Sequence, residues 1–75
     1  MTLNNAPKLK KLIISAIECD GHLKRRLLQM GLLPGASVQV VRAAPLGDPI
    51  EVKSGDSLVS LRRNEAECVR VETRD

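Results

Sequence analysis

Residues 37–55 read SVQVVRAAPLGDPIEVKSG, and their reading decides the fold. Val38, Val40 and Arg42 share one parity, with Gln39 and Val41 on the other. Past the interruption, Ile50 and Val52 alternate with Glu51 and Lys53. Period-two alternation is the mark of a half-buried strand, so two strands flank the connection. That connection, Ala44–Pro49, is too long for a two-residue hairpin. Pro45 and Pro49 have no N–H to continue a ladder, and they stiffen the backbone around Leu46, Gly47 and Asp48.

Upstream, Pro34–Gly35 fits a type II turn, because proline presets the first central angle and glycine accepts the positive second one. Before it, DGHLKRRLLQMG (20–31) has Leu23, Leu27 and Met30 at helical spacing, with Lys24, Arg25 and Gln29 facing water. Asp20 is placed to cap this helix and Gly31 to end it. KLKKLIISAIE (8–18) puts Leu12, Ile14, Ala16 and Glu18 on one strand parity and Ile13, Ser15 and Ile17 on the other. Such imperfect alternation suits a short strand with side chains on both sides. A helical turn over 8–12 is the alternative. MTLNNAP (1–7) reads as a polar lead-in. Downstream, SGDS is a turn, LVSLR a short strand and CVRVE a closing strand. Asn64 and Glu67 have capping-box spacing for one helical turn. Five short strands with a helix after the first predict an all-β small barrel.

The chain has 75 residues, close to the lower size for an independent core, and reads as a single domain over 1–75. It is 43% hydrophobic yet contains no Phe, Tyr or Trp. The core must be aliphatic, and neither proline-motif recognition nor base stacking has the aromatic surfaces it needs. Net charge is +3, and six of twelve basic residues lie in the first 26 positions against only Glu18 and Asp20. Lys8, Lys10, Lys11, Lys24, Arg25 and Arg26 therefore form a candidate basic face. No apolar run is long enough to span a bilayer and no leader segment is evident, so a cytoplasmic setting is expected.

No catalytic set assembles, so no enzyme is expected. Cys19 and His22 form a C-x-x-H spacing, two ligands where structural zinc needs four, and no native metal or cofactor is expected. Cys19 and Cys68 make no disulfide framework. Cys68 reads as a small, partly buried hydrophobe and His22 as a surface residue. The glycines occupy turns and caps rather than a phosphate cradle. Protein binding remains, with Leu32 and Leu33 after the helix and Leu46 at a loop tip as candidate apolar anchors.

The run Arg26, Leu27, Met30, Gly31, Leu32, Pro34, Gly35, the run Ala44–Pro49, and the run Ser60, Leu61, Arg62, Glu65, Ala66 occur in this order within residues 12–72. Together they resemble FeoA, the small cytosolic component of bacterial ferrous iron uptake, and the related domain at the C-terminus of some iron-dependent repressors. The resemblance implies an SH3-like barrel with an inserted helix. It also implies a regulatory or adaptor role beside FeoB, the membrane ferrous iron transporter. Relatives commonly carry a Leu-x-x-Leu-x-x-Gly lead-in, where this chain has LKKLIIS without the glycine.

The expected partner surface is Leu32, Leu33, Leu46, Gly47, Asp48 and Pro49, docking on the cytosolic region of FeoB, with the basic face steering approach. A second copy of the chain is a further candidate partner. The alternative reading is a small basic barrel that binds nucleic acid. Phosphate-led binding of that kind falls steeply with salt.

Overall fold

One antiparallel hairpin organises the sheet. In the computed structural model, which describes residues 1–74, β2 (Ser37–Ala43) pairs with β3 (Ile50–Ser54), placing Val38 opposite Ser54 and Val40 opposite Val52. Asp75, the last residue of the expected domain, lies outside the described residues. Around the hairpin come β1 (Leu12–Ile17), α1 (Gly21–Gln29), β4 (Ser57–Leu61), α2 (Arg63–Glu67) and β5 (Val69–Thr73). The five strands lie in the order β4-β3-β2-β1-β5, and every pairing is antiparallel. The expected five strands and inserted helix are therefore present. The sheet bends into a small barrel that is not fully closed, because β4 and β5 are its two edges.

Two bulges account for the uneven strand patterns. Between β1 and β5, Ile14 faces Val71 while Ala16 faces Arg70, so Ser15 is the extra residue. An extra residue reverses the inside–outside parity of the strand beyond it. Leu12, Ile14 and then Ile17 are buried accordingly, and Ala16 is only partly covered. Ser15 is also where the lead-in common to relatives would carry its glycine. Between β2 and β3, Val41 is the extra residue. The bulge turns Arg42 out to pair with Glu51, while Ile50 stays in the core.

Leu33–Ala36 forms the expected turn. Gly35 has φ +91 and the Ala36 N–H donates to the Leu33 carbonyl at 2.9 Å. Helix α1 buries Leu27 completely and packs Leu23, Leu28 and Met30 against the core. Asp20 holds the N-cap position, but its side chain makes no capping hydrogen bond, contrary to expectation. With no acidic residue in its first turn, α1 is held by its apolar face rather than by its ends.

Three further expectations are corrected. The lead-in is not simply polar. Leu3 is buried, its N–H donates to the Val69 carbonyl at 3.1 Å, and the Val71 N–H donates to the Met1 carbonyl at 2.9 Å, so residues 1–3 cover the outer edge of β5. No helical turn forms over 8–12; β1 begins directly at Leu12. The capping pair of α2 is Arg62–Glu65 rather than Asn64–Glu67, with Glu65 Oε1 accepting from the Arg62 N–H at 2.8 Å.

The cysteines also differ from expectation, because Cys19 and Cys68 are joined in a disulfide with Cα atoms 5.2 Å apart. The sheet brings them together. The Glu18 N–H donates to the Cys68 carbonyl at 2.7 Å, so the end of β1 lies beside the start of β5. Cys68 is half-buried, as expected of its side chain, and His22 is exposed. With its sulfur bonded, Cys19 is lost to the C-x-x-H pattern. Among the described residues, no group of three or more His, Cys, Asp or Glu side chains converges. No helix among them is long and apolar enough to cross a membrane.

Candidate functional site

The Ala44–Pro49 connection is built to present one side chain. Ala43 pairs with Ile50 at its base, and the Ala44 N–H donates to the Pro49 carbonyl at 2.9 Å. The loop is thus closed at its neck, and the Asp48–Pro49 peptide bond is cis. Inside, Pro45–Gly47 makes one tight turn in which the Gly47 N–H donates to the Ala44 carbonyl at 2.8 Å. Leu46 stands at its apex, 93% exposed, in the left-handed conformation at φ +74. That conformation costs an L-residue with a side chain about 1–2 kcal/mol, and strain of this kind persists only where the surroundings over-determine it.

The surroundings here are supplied by α2. The Arg63 guanidinium donates to the Leu46 carbonyl at 2.7 Å, and Asp48 Oδ1 accepts from the Arg63 N–H at 3.1 Å. One residue therefore grips the loop on both sides of Gly47. Arg63 is held in turn by Asn4, whose side-chain amide donates to its carbonyl at 3.1 Å. The sequence reading missed Arg63. The signal available was an arginine just past the SLR run, but nothing local ties it to a loop 15 residues earlier.

Below this site lies a buried charge. Glu65 is 2% exposed; Oε1 caps α2 and Oε2 lies 3.2 Å from the Arg26 guanidinium without an aligned hydrogen bond. The pair links α1 to α2. Arg26 itself stays exposed, with one face of its guanidinium engaged by Glu65. Lys8, Lys10, Lys11, Lys24 and Arg25 are exposed. Lys11 stands beside Lys53 and Arg74 around an open cleft of about 410 Å³ floored by Val38.

The expected apolar surface is not brought together. Leu32 is fully buried, its N–H bonded to the Leu27 carbonyl at 3.1 Å, because the core takes the first leucine after the helix. Leu33 is 48% exposed but precedes β2, whereas Leu46 follows it. They stand beyond opposite ends of that strand. Leu46, Gly47, Asp48 and Pro49 remain together as one loop.

Residues 1–73 match the family model described as the FeoA domain. Over 60 residues the chain is 40% identical to a Fe(2+) transport protein A/Fe(2+) transporter FeoB fusion protein of Porphyromonas gingivalis. The match covers 80% of this chain and 7% of the fusion. The solution structure of iron(II) transport protein A from Clostridium thermocellum superposes with TM-score 0.92 at 37% identity, covering 97% of this chain and 45% of that one. Zinc-complexed FeoA from Stenotrophomonas maltophilia, described as a procaryotic SH3 domain protein, gives TM-score 0.83 at 29% identity over 96% of this chain and 89% of its own. The manganese regulator SloR shares the fold alone, at 11% identity and TM-score 0.84. The chain spans less than half of the first two relatives. The family model covers nearly the whole chain, and the aliphatic barrel, inserted helix and shaped loop agree with it: the chain belongs to the FeoA family.

Proposed function

We propose that this protein serves ferrous iron transport as a non-catalytic accessory that binds the cytosolic region of the FeoB transporter, with Leu46 as its anchor. One observation carries the docking site: a leucine 93% exposed, in left-handed geometry, on a loop gripped by Arg63. An apolar side chain held out on a braced loop is what an interface uses, since little backbone entropy is lost on binding. Membership of the FeoA family and likeness to a chain that joins transport protein A with FeoB support that partner. Gly47, Asp48 and Pro49 shape the rim, and the exposed lysines around residues 8–11 steer approach to an acidic surface.

The test is the affinity of the protein for the cytosolic region of FeoB, measured by calorimetry with Leu46→Asp. Burying a leucine is worth about 1.5–3 kcal/mol, so affinity should fall by tenfold to a hundredfold or more. An unchanged affinity removes the loop from the interface.

A further inference from the structure

We infer that the outer edge of β4 pairs with the same edge of a second copy of this chain, forming a two-fold antiparallel dimer centred on Val59. The two edges of the sheet are treated differently. The β5 edge is covered by Met1–Leu3 of the same chain. By contrast, no backbone hydrogen bond outside the β3–β4 ladder involves residues 57–61 among the described residues. Strand edges in soluble proteins are normally blunted by a charge, a proline or a bulge. The segment Ser57-Leu58-Val59-Ser60-Leu61 has no charge and no proline, and its pairing with β3 runs without a bulge. Leu58 is 52% exposed and Ser60 is exposed beside it.

The register derives from the hairpin. Ser54 faces Ser57 across Gly55–Asp56, with Gly55 at φ +61, the geometry of a two-residue turn whose flanking pair exchanges both hydrogen bonds. Alternation then directs the backbone groups of Ser57, Val59 and Leu61 to β3, and those of Leu58 and Ser60 outward. Placing Leu58 opposite Ser60 of the second copy uses every outward group of the strand, each pair exchanging both its bonds. Val59 then meets its own counterpart on the axis. The same register sets Asp56 opposite Arg62 of the second copy, and by symmetry Arg62 opposite Asp56. Both side chains are exposed, and neither forms an ion pair within the described residues. The edge is therefore complementary to itself in hydrogen bonding and in charge, which favours a second copy over an unrelated strand.

Sedimentation of the intact protein from micromolar to millimolar concentration should show a monomer–dimer equilibrium. Asp56→Arg or Arg62→Asp alone places like charges together at both ends and should weaken the dimer about tenfold. The double variant D56R/R62D restores opposite pairs and should recover the original equilibrium. Amide exchange should slow with concentration at Leu58 and Ser60, and circular dichroism checks that each variant is folded. Leu46→Asp should leave dimerisation unchanged, which separates this surface from the proposed transporter site. A chain that stays monomeric at millimolar concentration, or a dimer insensitive to the single reversals, overturns the inference. Protection of Leu58 and Ser60 only on adding the FeoB cytosolic region also overturns it and assigns the edge to that partner.

Discussion

At the scale of a single residue, Leu46 carries two opposed requirements. Folding gains little from a side chain so exposed and loses about 1–2 kcal/mol to its left-handed backbone. Glycine has no such cost, although its greater freedom when unfolded offsets part of the gain. Leu46→Gly should therefore leave the thermal midpoint unchanged or slightly raised. If the variant instead melts markedly lower by circular dichroism, Leu46 stabilises the fold and is no dedicated anchor. The loop was legible as a stiff connection from Pro45 and Pro49 alone. Its grip was not, because Arg63 and Asp48 meet through tertiary packing rather than local chemistry. Leu32 shows the same limit. Two adjacent leucines after a helix look alike in sequence, and only the geometry of the turn sends one inward and the other out.

At the scale of elements, the two helices are joined through a buried carboxylate. The Glu65 charge is covered almost completely, and Arg26 is the cation beside it. Arg26→Met leaves that carboxylate buried and uncompensated, an error that costs about 1–3 kcal/mol. The loss should appear as a lower urea midpoint, and an unchanged midpoint would mean that the Arg26–Glu65 pair adds nothing to stability. The arginine is itself well exposed, which holds the effect below that of a fully buried pair. Strands β2, β3 and β5 were readable because their apolar residues alternate. The course of β1 was not, because the bulge at Ser15 exchanges the faces midway and breaks the period on which such a reading depends. The cap of α2 was misplaced because Asn64–Glu67 has the favoured residue types. Glu65 instead bonds a main-chain N–H, which any residue but proline at position 62 could supply.

Across the whole molecule, long-range closures hold a small sheet together. The disulfide spans 49 residues of chain, and loop-closure entropy assigns such a link roughly 4 kcal/mol at most. Reduction with dithiothreitol should lower the unfolding free energy toward that extent, read from urea curves with and without reductant; coincident curves would show that the link adds nothing. The pairing was illegible because two cysteines so far apart carry no spacing signal, and only the β1–β5 ladder makes them neighbours. Leu3 was hidden for a related reason, since a short polar-looking segment gains its apolar role from the strand it covers. The barrel itself was legible, because turns and alternation recur at short intervals along the chain. Among the described residues its interior contains only aliphatic side chains, sulfur and one carboxylate, and the sequence has no Phe, Tyr or Trp, which has an optical consequence. Apart from the weak cystine band, the protein is dark in the near ultraviolet. In a mixture with a tryptophan-bearing partner, every change in emission comes from the partner, so this chain can be titrated as an invisible ligand while its target reports the encounter.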